Sequence, residues 1–210
     1  MNHVELLAEL SRRRVLAIIR ADGPDRAVEC IRTLVTAGIT LLEVSLTTPG
    51  GAEAIARARD EFDPSVLIGA GTVVTPAQAD EVAAARAGFV VTPAITRGAV
   101  RSVELGVPLF CGALTPTEIV TALDIGALAV KVFPAKLHGP GYFRELRAPL
   151  PDAPLLAVGG VDVTTAPQYL QAGALAVGLG SPLLGDAGTG GSQTELAGRA
   201  ARFLEAISNA

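Results

Sequence analysis

Lys131 interrupts GALAVKVFPA (126–135), a run whose small and β-branched residues otherwise read as a strand buried on both faces. An ammonium group taken out of water without a partner costs on the order of several kcal/mol, so this amine must be paired, neutral or in chemical use. Of the 17 lysines and arginines only Lys131 and Lys136 are lysines. A chain that writes its other cations as arginine has kept a lysine in its core. Arginine is not a nucleophile, whereas a desolvated lysine can lose its proton near neutral pH and attack a carbonyl.

The acid that could work with it is Glu43, in the apolar run LLEVSL (41–46). A Lys–Glu pair kept only for packing is poorly motivated, because apolar residues of similar volume usually stabilise at least as well. Burial lowers a lysine pKa and a nearby ionised carboxylate raises it, so a bridging water is expected rather than a tight ion pair. Other candidates stand where apolar runs end: Arg20, Thr72 in GAGT, Thr92 and Pro93 in VVTPA, and Phe133 beside the lysine. Two glycine-rich ends complete the set, Gly159-Gly160 in AVGGV and Gly180-Ser181 in GLGS, whose unhindered amides suit a phosphate. The rival for each glycine pair alone is tight turning and close packing. His3 and His138 are the only histidines and no acidic cluster has ligand spacing, so neither a metal nor another cofactor is expected. No GxGxxG joins a strand to a helix, which removes a dinucleotide reading.

These residues need elements to hold them. Apolar strand patterns recur eight times: 15–20, 41–46, 66–73, 89–94, 108–114, 128–134, 154–160 and 174–180. Segments of helical period lie between them. Gly38, Gly88, Gly106, Gly126 and Gly173 are placed to end helices, and Pro24, Pro49, Pro76 and Pro116 to begin them. Alternating strands and helices imply right-handed βαβ units and a parallel sheet. Eight units in 210 residues fit a compact (β/α)8 TIM barrel; an open doubly wound sheet shares the alternation. The residues before 15 read as an extra N-terminal helix across the barrel bottom, with Arg12-Arg13-Arg14 at its cationic end. No linker or low-complexity stretch divides residues 1–210, so one domain is expected.

Strand parity then directs the chemistry. With Leu42, Val44 and Leu46 on the helices, Glu43 and Ser45 face the barrel interior; with Val130 and Val132 outward, Lys131 and Phe133 turn inward. Strands 2 and 6 belong to one alternating set and lie across the barrel, so Glu43 and Lys131 share a cavity at the C-terminal end. Aromatics at 4% and no large basic cluster argue against nucleic acid, and no apolar run reaches the ~20 residues of a membrane span. An acidic, amphipathic N-terminus without a signal pattern and two isolated cysteines, Cys30 and Cys111, point to the cytoplasm.

In this order LLEVSLTTP, IGAGTV, VVTPAI, KVFPA, AVGGV and GLGS resemble the 2-keto-3-deoxy-6-phosphogluconate / 2-keto-4-hydroxyglutarate aldolase family, class I pyruvate aldolases on a (β/α)8 barrel. The resemblance spans nearly the whole chain. It implies that Lys131 forms a Schiff base and Glu43 is the acid/base. Thr72, Thr92 and Pro93 would lie near the pyruvyl group, Phe133 would form an aromatic wall, and Arg20 would be a basic residue of the site. Gly159, Gly160, Gly180 and Ser181 would form a phosphate cradle. Many phosphogluconate enzymes carry an arginine four residues after the glutamate, where this chain has Thr47. LTTP and FPAKLHGPGYFREL are closer to the 6-phosphogalactonate branch. A small phosphorylated keto acid as substrate and a homotrimer are implied. A phosphosugar isomerase or epimerase in which Lys131 only supplies charge, and a barrel that binds a phosphorylated metabolite without catalysis, remain the alternatives from other classes.

Overall fold

A computed structural model of the protein describes residues 3–208. Helix α1 (His3–Arg13) is followed by β1 (Val15–Ile19), α2 (Pro24–Thr36), β2 (Leu41–Ser45), α3 (Gly51–Glu61) and β3 (Leu67–Gly71). Then come α4 (Pro76–Ala84), β4 (Val90–Val91), α5 (Arg97–Glu104), β5 (Leu109–Ala113), α6 (Pro116–Asp124) and β6 (Ala129–Val132). A 3-10 turn (Ala135–Leu137), α7 (Gly139–Arg147), β7 (Leu155–Val158), α8 (Ala166–Gln171), β8 (Ala176–Leu179), α9 (Ser181–Leu184), a second 3-10 turn (Ala187–Thr189) and α10 (Gln193–Ser208) complete the order. All eight strands pair in parallel with their sequence neighbours, and β8 closes on β1 through Val15–Val177 and Ala17–Leu179. Closure removes the open-sheet alternative. Among the described residues no helix is long and apolar enough to cross a membrane.

Two apolar layers result from the period-2 alternation of each strand. Leu42, Val44, Val130 and Val132 pack outward against the helices. The inward residues Leu16, Leu41, Leu67, Phe89, Phe110, Leu156 and their neighbours fill the lower barrel. Gly69 faces inward so that the Phe89 ring can enter; a Cβ there would collide with it. The Phe89 and Phe110 rings then stack with centroids 4.9 Å apart. Helix α1 seals the bottom with Leu6 and Leu10, as its amphipathic pattern requires. Arg13 fixes it there, donating to the Thr40 carbonyl at 2.6 Å and to the Ser65 carbonyl at 2.8 Å. Met1 and Asn2, which that pattern includes, lie outside the described residues.

Several boundaries differ from the sequence expectation. The strands stop earlier, most visibly β4, where only Val90 and Val91 are paired. Pro93 has no N–H to continue a ladder, and at β3 Thr72 turns into the left-handed region at φ 64°. The candidate residues at 20, 72, 92, 133, 159, 160 and 180 are therefore loop residues directly after strands. Helices α2, α4 and α6 begin at their prolines, the latter two behind Thr75 and Thr115 capping boxes. Pro49 does not: Gly50 caps α3 at φ 68°. Gly38, Gly106, Gly126 and Gly173 take positive φ after their helices, but after α4 the left-handed residue is Arg86, and Gly88 instead donates to the Ile68 carbonyl at 2.8 Å.

Leu10 is fully buried at the barrel bottom. Leu10→Ala is expected to cost about 2–5 kcal/mol in chemical denaturation. A midpoint and slope equal to those of the parent would show that α1 does not plug the barrel.

Candidate active site

The upper barrel is where the apolar filling stops. Toward the mouth the inward positions are Glu43, level with Ile18, and Ser45 on β2, Gly71 on β3, Gly112 on β5 and Lys131 on β6. Two of these are glycines for a spatial reason. A Cβ at Gly71 would lie 2.5 Å from Glu43 Oε1, so the carboxyl group occupies the room that a side chain would need. A Cβ at Gly112, the register partner of Lys131, would strike the Pro93 carbonyl, so the loop after β4 leans over β5 toward the lysine.

Glu43 is 1% exposed and Lys131 6% exposed. No ion pair joins them among the described residues, and Glu43 Oε2 is buried without a hydrogen-bond partner. Burial pushes the Glu43 carboxyl above the usual carboxylate range, against the opposing attraction of Lys131 and Arg20. Burial likewise pushes the Lys131 amine below its ordinary 10.5; Glu43 opposes this and Arg20 adds to it. Both shifts run toward neutral forms. Lys131 Nζ also lies 5.0 Å from the centre of the Phe133 ring, whose edge covers Gly159.

Lys131 opens into a cavity of about 480 Å³ at the C-terminal mouth of the barrel. Arg20, Thr72, Pro93, Phe133, Gly159, Gly160, Gly180 and Ser181, all expected from the sequence, line it. Glu43 is not on its wall, although its β1 register partner Ile18 is. Gly159 and Gly160 have φ of 97° and 76°, so their type answers to backbone conformation as well as to the cavity they border. The Arg20 guanidinium lies against Gly180, with Nη1 3.3 Å from the position of a Cβ there.

Thr92 is placed differently from the other candidates. It follows the parity of outward-facing Val90, is fully buried, and donates from Oγ1 to the Ala94 carbonyl at 2.8 Å while accepting from the Gly112 amide at 3.3 Å. It shapes the Pro93 loop and does not reach the cavity.

Three hydroxyls meet on the other side. Ser45 Oγ is 2.8 Å from Thr47 Oγ1 and 2.9 Å from Thr72 Oγ1, and it accepts from the Thr47 amide at 3.3 Å. Thr72 holds its place at a backbone conformation that a β-branched residue rarely adopts, the kind of strain that surrounding structure must enforce. Thr48 Oγ1 accepts from the Ala21 amide at 3.1 Å and so ties the Arg20 loop to this corner. Thr47 and Lys136 also line the cavity, though the sequence assigned neither a place in it. The site therefore offers an amine driven toward neutrality, a buried carboxyl, a hydroxyl cluster and a rim of cations and glycine amides. That set suits a small ketone carrying negative charge at its ends.

Comparison with known proteins shows the family of the chain. Residues 6–190 match the family model described as KDPG and KHG aldolase. The 2-dehydro-3-deoxy-6-phosphogalactonate aldolase of Escherichia coli (strain K12) is 37% identical over 198 residues, 93% of this chain and 95% of that protein. The native KDPGal structure superposes with a TM-score of 0.87 at 36% identity, over 93% of this chain and 94% of that one. A KDPG aldolase from Legionella pneumophila, solved with pyruvate captured at low pH as a covalent carbinolamine intermediate, superposes with a TM-score of 0.80 at 26% identity, over 96% of each chain.

Gly71→Ala must displace the Glu43 carboxyl. A shift of ~1 Å in the variant's crystal structure and a loss of ~10²-fold in turnover are expected. An unmoved carboxyl with full activity would show that Gly71 does not confine it.

Proposed function

Because the chain belongs to the KDPG and KHG aldolase family, we infer that it is a class I aldolase. It reversibly cleaves a 2-keto-3-deoxy-6-phospho sugar acid to pyruvate and glyceraldehyde 3-phosphate. The observation that carries the mechanism is the buried lysine of depressed pKa opening into the same cavity as the glycine cradle.

Neutral Lys131 attacks the C2 ketone, and the carbinolamine loses water to give an iminium. Glu43, directly or through one water, takes the C4 hydroxyl proton while the C3–C4 bond breaks and its electron pair flows into the iminium as an enamine. Glyceraldehyde 3-phosphate departs. The enamine is reprotonated at C3, and hydrolysis frees pyruvate and the amine. In its ionised state Glu43 is a base held in a poorly solvated place; burial raises its proton affinity and so suits it to both transfers.

The Ser45–Thr47–Thr72 hydroxyls hold the pyruvyl carboxylate in this reading, supported by their closeness to one another and by the place of Thr47 and Thr72 on the cavity wall. Gly159, Gly160, Gly180 and Ser181 receive the phosphate, and Arg20, resting on Gly180, serves that same end. Binding energy gained at the phosphate orients the distant ketone against Lys131. Phe133 and Pro93 wall the space between. One barrel domain over residues 1–210, acting in the cytoplasm as a homotrimer, completes the proposal. Half-exposed Val74, Val100 and Val120 offer apolar surface for contact between copies.

Borohydride reduction in the presence of pyruvate is expected to add a stable adduct at Lys131 alone, located by peptide mass mapping. Labelling elsewhere, or none, contradicts the scheme and favours an isomerase in which Lys131 supplies only charge. Glu43→Gln is expected to keep the adduct while slowing turnover ~10²-fold or more. Coupled pyruvate release from the two C4 epimers identifies the sugar, with the phosphogalactonate type expected to be cleaved faster.

A further inference from the structure

Lys136, the second of the two lysines, stands five residues from the first in the 3-10 turn that follows β6. It lines the same cavity as Lys131 and the glycine cradle. Its amide donates to the Gly159 carbonyl at 3.1 Å, which joins the turn to the cradle as one unit. Its stem runs through the space that a side chain at Gly160 would need: Cβ and Cγ of Lys136 lie 2.8 and 2.9 Å from the position of a Cβ there. The side chain is thus guided along the cradle by the absence of one at Gly160.

Its charge is unspent. Among the described residues eight arginines pair with carboxylates. Among the described residues the three cations of the cavity, Arg20, Lys131 and Lys136, make no such pair, and no carboxylate lines the cavity with them. Arg20 borders the cradle at Gly180 and Lys136 borders it at Gly160. A phosphate held by glycine amides alone would have only neutral donors; two cations add charge-assisted bonds, roughly twice as strong. A substrate without the phosphate would leave both cations facing an empty subsite.

We propose that Lys136 is a specificity-determining residue, whose ammonium closes the phosphate end of the cavity together with Arg20 and makes the site select phosphorylated over unphosphorylated keto-deoxy acids. This rests on the aldolase reading for the identity of the substrate, but not for the binding of phosphate.

Lys136→Met keeps the stem and removes the charge, and Lys136→Arg keeps the charge. Inorganic phosphate is titrated calorimetrically into wild type and both variants at low ionic strength. The same proteins are assayed on a 2-keto-3-deoxy-6-phospho sugar acid and its unphosphorylated counterpart. Lys136→Met is expected to weaken phosphate binding about 10-fold, to raise KM for the phosphorylated substrate with little change in kcat, and to lower the phosphorylated-to-unphosphorylated ratio of kcat/KM about 10-fold. Lys136→Arg should restore most of each. Wild-type phosphate affinity and an unchanged ratio in Lys136→Met would overturn the proposal, as would equal losses in both variants. Pyruvate and borohydride applied to wild type test the aldolase reading separately: a missing Lys131 adduct defeats that reading, while the phosphate titration still decides the role of Lys136.

Discussion

Desolvation of one amine is the constraint around which this barrel is arranged. Lys131 stands where a β-strand is covered on both sides, and the carboxyl that opposes its discharge, Glu43, is itself buried and short of hydrogen bonds. Water would stabilise both charges far better than this site does, so each group is driven toward its neutral form. Such a pair works against the fold. Lys131 binds a proton more readily when unfolded, so its penalty is full below the depressed pKa, fades as pH rises from there toward 10.5, and is gone above it. Glu43 has the opposite dependence: its penalty is absent at low pH and grows as pH rises through its raised pKa. Stability lost in this way is kept as reactivity.

The rest of the barrel makes that arrangement possible. Below it, stacked phenylalanines and the α1 plug exclude water from the barrel's lower half. Beside it, the absence of side chains at Gly71 and Gly112 admits the Glu43 carboxyl and the Pro93 loop, so the amine is walled without being paired. Above it, the cavity divides into a hydroxyl corner and a cationic, glycine-lined end. A substrate with a carboxylate near its ketone and a phosphate at its far end matches that polarity.

Much of this was legible because strands have a period of two. The parity of LLEVSL and LAVKVFP alone sends Glu43 and Lys131 into one interior, and the structure follows it. For Thr92 the end of an apolar run gives a position but no direction; parity supplies it, since Val90 outward implies Thr92 outward. Lys136 carried a signal, its rarity, but a turn residue has no periodicity from which to read direction. The purpose of Gly71 depends on where another strand's side chain ends, which no local pattern records. The left-handed turn after α4 fell to Arg86 rather than Gly88 because glycine is favoured there without being required.

The state of one nitrogen can be observed directly. With lysine labelled at Cε with carbon-13, the protein has only two resonances to follow, and Lys131→Met assigns them. Titrated by NMR, the Lys131 signal is predicted to show its protonation step below 10.5. A step at or above that value would mean that burial does not disfavour the charge on this amine, which the account does not survive.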